Sequence, residues 1–233
     1  MDRVGPVSDI VTPAAVLWDM DGTLVDTEPY WIAAEHALVA EAGGEWDQEL
    51  GLQLVGMSLW DSAEFIRVHS PVTLEPAQII QALLERVTGA VRAQGVPWRP
   101  GARELLDLVA AAGIPSALVT MSWTTLVEPV IETLPAGTFA ALVTGDVVTH
   151  GKPHPEPYLQ AARALGVDPA EALAIEDSPT GVTSAVRAGV PTLAVPHIVE
   201  IPAMRGALSV PSLTGLTIED LTRLRNEAAA TIG

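Results

Sequence analysis

Between residues 14 and 233 the chain alternates between two rhythms. Short apolar runs stand at 14–18, 115–120, 138–143, 171–176 and 191–195, each bounded by Gly, Pro or polar residues. They are short, continuous and rich in Val, Leu and Ala, the signature of strands buried on both faces. Between and after the later runs, amphipathic stretches at 101–112, 123–134, 155–166, 179–188 and 218–231 read as helices. Helix alternating with short apolar strand predicts a parallel sheet covered on both faces.

The stretch 28–98 breaks that rhythm. It carries helical pattern at 28–42, 47–55, 58–69 and 75–94 and no strand pattern, with Pro29 suited to a first helical turn and Gly43-Gly44 ending the first helix. The first strand therefore belongs with residues 99–233, and 28–98 is an all-helical insertion after it. The expected organisation is a flexible arm at 1–12, an α/β core at 13–27 and 99–233, and a helical unit at 28–98.

Composition narrows the chemistry. The chain has 233 residues, 48% of them apolar, without a run of 18 apolar residues or the apolar core of a signal peptide at its start. It has no cysteine, which excludes disulfides and thiolate chemistry and fits the cytoplasm. A net charge of −17 argues against nucleic acid and anionic membrane as partners. Any phosphate site must then be locally positive. Eleven of the twelve basic residues are Arg, and the single lysine is Lys152; a compact ammonium is not interchangeable with a guanidinium at a tight site.

Candidate chemistry falls at strand ends, where open parallel sheets bind ligands. The first strand stops at Asp19 and Asp21, followed by Gly22. Carboxylates at i and i+2 of an extended chain share a face, and two like charges there need a cation or a shared proton. One could attack as a nucleophile, the other carry a proton, with a divalent metal between them; a helix cap is the plainer alternative. Thr120 ends the second strand ahead of Met121 and Ser122, where a hydroxyl and helix-terminal N–H groups could cradle phosphate or merely cap a helix. Glu176 and Asp177 end the strand at 171–176. Lys152 lies in G-K-P-H-P. A P-loop is rejected there, because Asp146 stands where that motif needs its first Gly and Pro153 replaces its Ser or Thr. The five histidines form no metal-spaced pair along the chain.

The string D-M-D-G-T-L-V-D at Asp19–Asp26, with Thr120, G-K-P-x-P at Lys152 and E-D-S-x-x-G at Glu176 in order, resembles the haloacid dehalogenase superfamily. The likeness is to its helical-cap sugar phosphatases and β-phosphoglucomutase-like proteins. It implies a Rossmann-like core with a helical cap at 28–98. It further implies Asp19 as nucleophile, Asp21 as general acid and base, Thr120 and Lys152 as charge-balancing groups, and backbone N–H groups of Met20, Asp21 and Met121 around the phosphate. Mg²⁺ would be held by Asp19, the Asp21 carbonyl, Asp177 and, directly or through water, Glu176. The expected substrate is a small phosphorylated metabolite, the expected assembly a monomer or weak dimer.

Three relatives' chemistries can be weighed. Asp21 speaks against a dehalogenase, and the lack of a second lysine closes the Schiff-base route. A phosphomutase needs a second anion site, yet Val55 and Leu59 stand where a cap loop would offer Lys and Arg, and 28–98 holds three Arg against ten carboxylates. A phosphatase is favoured, with Gly56, Met57, Trp60 and Trp123 as candidate specificity residues. A non-catalytic phosphoester binder has no need of the paired aspartates.

Overall fold

The computed structural model describes residues 11–54 and 57–232. Val55 and Gly56 lie outside the described residues, as does all of the expected arm except Val11 and Thr12, which are exposed.

Six parallel strands form one sheet: β1 (Val16–Trp18), β2 (Ser116–Val119), β3 (Ala141–Val143), β4 (Leu173–Glu176), β5 (Thr192–Ala194) and β6 (Ala207–Ser209), in the order β3-β2-β1-β4-β5-β6. β1, β2, β4 and β5 are buried throughout, which is why they read as continuous apolar runs. Alternate residues feed opposite faces. Trp18, Leu118, Ile175 and Leu193 join one core cluster; Leu17, Ala117, Val119 and Ala174 join the other. The first is built against α5 (Ala102–Ala111), α6 (Thr124–Ile131) and α9 (Ile218–Ala229), the second against α7 (Glu156–Leu165) and α8 (Pro179–Arg187). The order reverses at β1, so the crevice for a ligand lies above the carboxyl ends of β1, β2 and β4.

The insertion consists of α1 (Glu28–Glu41), α2 (Gln48–Leu54), α3 (Leu59–His69) and α4 (Pro76–Gln94). α4 starts on a reciprocal Glu75–Gln78 capping box with Pro76 following. It buries Ile79, Ile80, Leu83, Leu84, Val87 and Val91, one helical stripe, against α1, α3 and α6. The chain leaves and re-enters the sheet side by side: Asp26 N donates to Pro97 O at 2.9 Å and Arg99 N to Leu24 O at 2.8 Å.

Two expectations need correction. β6 was not anticipated: three residues between Pro202 and Pro211 leave too little alternation to register, and the strand is recognised only by pairing with β5. The strand expected at 138–143 is confined to Ala141–Val143, because Thr138 N turns back to Pro135 O.

Candidate active site

Three strand ends meet at Lys152. Its Nζ donates to Asp19 Oδ1 at 2.6 Å, to Glu176 Oε1 at 2.5 Å and to Val119 O at 2.8 Å, using all three ammonium hydrogens. Burial by itself would pull the lysine's pKa down; Asp19 and Glu176 more than reverse that, so it is raised and the ammonium stays charged. Tyr158, which no pattern in the chain marks out, donates its hydroxyl to Glu176 Oε1 at 2.8 Å from a fully buried ring.

Asp19 therefore has one oxygen clamped by the lysine, while its Oδ2 is buried without a hydrogen-bond partner. Asp21 is held from two sides: Thr27 Oγ1 donates to Oδ1 at 2.5 Å, Ser122 Oγ to Oδ2 at 2.7 Å and Thr120 Oγ1 to Oδ2 at 3.2 Å. Thr120 Oγ1 in turn accepts from Ser122 N at 3.0 Å. Gly22 makes the turn with φ +85°, and a Cβ there would lie 1.9 Å from Asp177 Oδ2. Only glycine lets the backbone come so close to that carboxylate.

Asp19, Asp177 and Glu176 place oxygens within 4.8 Å of one another. Desolvation, then the neighbouring carboxylates, push Asp177 up to about 9; burial first, with Glu176 and Asp21 adding to it against Lys152, raises Asp19 to about 7. An orphaned buried oxygen beside a second crowded carboxylate is a donor set that fits a hard divalent cation such as Mg²⁺. Glu176 is the least free of the three, since Oε2 also accepts from Asp177 N at 3.2 Å and Ser178 Oγ at 3.2 Å.

A cavity of about 160 Å³ opens above these groups. Its core side is formed by Asp19, Asp21, Thr120, Met121, Ser122, Lys152 and Asp177, its insertion side by Glu28, Trp31, Glu35, Leu54, Met57, Leu59, Ser62 and Leu83. A comparable volume accommodates a benzene-sized molecule. Met57 lies on the wall. Trp60 does not: it is 53% exposed and its ring lies 6.5 Å from that of Trp123, bridging insertion and core beside the cavity. Met20 has its side chain wholly in the core, so only its backbone could serve a ligand. The expectation that the histidines form no metal-spaced pair needs correction: His150 and His154, four residues apart, come together with Glu156 within 4.8 Å. They sit on the open side of the Lys152 loop, where Glu156 already accepts from Thr149 N at 2.7 Å and His150 Nδ1 at 2.8 Å.

Four acids in or beside the cavity have raised pKa values, since burial raises Glu28 and Glu35 to about 7 as well. A carboxyl with a folded-state pKa above its unfolded value binds a proton in the folded chain over the window between the two. Stability is then full below the unfolded value and falls as pH rises through the folded one. The metal-free protein is expected to lose thermal stability steadily from about pH 5 to pH 8. Millimolar Mg²⁺ should restore more of it at pH 8 than at pH 6. Melting curves at both pH values, with Mg²⁺ and with chelator, check this; a flat profile would sink it.

The family described as haloacid dehalogenase-like hydrolase matches residues 16–195. Hexitol phosphatase B of Escherichia coli K12 is 31% identical over 218 residues, covering 89% of this chain and 96% of that one. Phosphoglycolate phosphatase of the same strain is 30% identical over 203 residues, covering 78% and 81%. Among solved structures, a CbbY variant from Rhodobacter sphaeroides in complex with xylulose-(1,5)bisphosphate superposes with a TM-score of 0.80 at 29% identity, over 88% of this chain and 96% of that chain. The chain belongs to the haloacid dehalogenase-like hydrolase family. Within it, the chain is an enzyme of the phosphoric monoester hydrolase class.

Proposed function

We propose that this protein hydrolyses a small sugar or polyol monophosphate through an aspartyl-phosphate on Asp19, with Mg²⁺ as cofactor. The carrying observation is the split environment of Asp19. One oxygen is pinned and charge-balanced by Lys152, the other is unpartnered at the floor of a cavity across which Asp21 is held by three hydroxyls. A nucleophile so oriented needs no reorganisation before attack.

In the first step an Asp19 oxygen bonds to phosphorus as the bond to the leaving oxygen breaks, and protonated Asp21 gives its proton to that oxygen. In the second, water attacks phosphorus, the bond to Asp19 breaks, and Asp21 takes the water's proton. Thr120, Lys152 and backbone N–H groups of Met20, Asp21 and Met121 balance charge on the phosphoryl oxygens. Asp19, Asp177 and the Asp21 carbonyl would hold Mg²⁺, with Glu176 behind them, and the bound ion would offset the negative charge that phosphate brings to an already acidic site. We read α1–α4 as a cap whose hinge is the paired crossing at Leu24–Asp26 and Pro97–Arg99.

The substrate class rests on the cavity's chemistry. Its size suits a small metabolite, and its basic lining residues among those described are Lys152 and His197, so no second phosphate finds a cation on the α1–α4 wall. That disfavours a mutase, which must hold a bisphosphate. Hexitol phosphatase B is named for the phosphate of a hexitol, a polyol without a further charged group, in keeping with the same wall.

The test is phosphate release from hexitol phosphates, sugar phosphates, phosphoglycolate and nucleotides, with and without Mg²⁺. β-Glucose 1-phosphate is assayed in parallel for glucose 6-phosphate. Chelator-sensitive release from a sugar or polyol phosphate is expected. Isomerisation without release would replace this reading by a mutase, and release only from nucleotides would overturn the substrate class.

A further inference from the structure

On α1, Glu28, Trp31 and Glu35 stand at i, i+3 and i+7, and all three face the cavity. Glu35 is the deepest of them, 4% exposed among Leu54, Leu59 and Leu83. Its Oε2 accepts from Trp46 Nε1 at 3.1 Å. Among the described residues no group donates to its Oε1 and no cation pairs with the carboxylate. Room for the Glu35–Trp46 pair comes from an unusual source. Gly51 lies inside α2, where glycine weakens a helix, and a Cβ there would stand 3.3 Å from Glu35 Oε2 and 3.7 Å from Trp46 Nε1.

The protein itself completes only one oxygen of this carboxylate, and the other opens to the cavity, where a donor on a ligand can reach it. The chemistry at Asp19 does not use it. We infer that Glu35 is a specificity residue: its free oxygen takes a hydrogen bond from a hydroxyl of the leaving group, and its charge turns away ligands carrying a carboxylate or second phosphate at that end. This rests on the phosphatase reading for the term leaving group, though the selectivity itself is a property of binding.

The wall supports both halves. Apart from Glu35 it is largely apolar around Leu54, Met57, Leu59 and Leu83, so a substrate hydroxyl lodged there has this acceptor or few others. Glu28 on the same face, with Asp26 beyond it, deepens the negative field, and the basic lining residues Lys152 and His197 belong to core loops, not to this wall. Burial, against the Trp46 hydrogen bond and with Glu28 adding to it, holds the Glu35 carboxyl up at about 7. It can therefore present either an acceptor or a donor near neutrality, and a hydroxyl can answer both. Discrimination built on a buried polar group exceeds what an apolar wall can give.

The test is equilibrium binding to the Asp19→Asn protein, which leaves the ligand intact, in the presence of Mg²⁺. The probes are a hexitol 6-phosphate, phosphoglycolate and fructose 1,6-bisphosphate. The hexitol phosphate is expected to bind at least ~10-fold more tightly than either anionic probe, and Glu35→Gln in that background should shrink the ratio ~10-fold or more. The gain should appear for phosphoglycolate and the loss for the hexitol phosphate, while the melting curve shows the variant folded. A preference for an anionic probe, no measurable binding of the hexitol phosphate, or an equal change for all probes would overturn the inference. Because the single-variant ranking alone carries the first arm, a misfolded Glu35→Gln leaves it decidable. Phosphate release by the unaltered enzyme is read separately, so failure of the phosphatase reading would show there with the binding preference still in place.

Discussion

Asp19→Asn is expected to reduce phosphate release by roughly 10⁴-fold or more, the scale on which enzymes lose rate when a nucleophile is removed. The same change should leave stability nearly intact. The amide fills the same space, and it removes a carboxylate that burial has already pushed up to about 7. Lys152 keeps Glu176 at 2.5 Å and Val119 O at 2.8 Å as partners, so a buried charge is not abandoned. Turnover and thermal unfolding measured on one preparation separate chemistry from collapse. Activity above about 1% of the unaltered enzyme in a folded variant would take the nucleophile's role from Asp19. Asn deamidates to Asp, so the residual rate should be read on fresh protein before any slow recovery.

That some of these residues are legible in the sequence and others are not has a physical basis. Strands buried on both faces advertise themselves as unbroken apolar runs, so β1, β2, β4 and β5 and the polar residues ending them stand out in order along the chain. Asp19, Thr120 and Glu176 occupy those ends, and Lys152 is conspicuous as the one lysine. The four-helix insertion is equally plain, because 71 residues without strand pattern between two strands admit few other readings. β6 fails the same test: half-exposed, three residues long and at the sheet's edge, it owes its conformation to β5 and not to its own pattern.

Residues that hold others in place are harder to see. Thr27 and Tyr158 look like an ordinary hinge threonine and an ordinary helix aromatic until the fold sets one against Asp21 and the other against Glu176. Glu35 left a fainter trace. Its spacing from Glu28 and Trp31 puts an acid on the same stripe as a large aromatic, which is odd for a solvent-facing helix side. What it faces, and that Gly51 makes room for it, are matters of tertiary packing. Trp60 is the opposite case: a large apolar residue at the edge of the expected specificity loop that packs toward Trp123 and leaves the cavity wall to its neighbours Leu59 and Ser62.

Lys152→Met is expected to be the most damaging single change for stability, and to cost activity as well. The methylenes fit, but the ammonium is the counter-charge for Asp19 and Glu176, both nearly or wholly sealed from water, with Asp177 adjoining. Removing one partner of a buried pair costs about 3–5 kcal/mol, far more than the pair itself is worth over an apolar replacement. The carboxylates can escape that cost by taking up protons. Without the lysine, which holds them down, the raised folded-state pKa values of Asp19 and Asp177 move further above the unfolded ones, so the folded chain binds more protons than the unfolded chain throughout the neutral range. The loss of stability is then small near pH 5 and grows as pH rises toward 8. Urea unfolding at the two pH values should show a gap between variant and unaltered protein that widens by about 2 kcal/mol or more, roughly one and a half pKa units at one carboxyl. Adding Glu176→Gln to Lys152→Met should recover part of the stability at pH 8, because one uncompensated charge is gone, and none of the activity, because Asp19 is still unclamped. A pH-independent deficit, or a double variant no more stable than Lys152→Met, would mean that the lysine's packing and not its charge sustains the site.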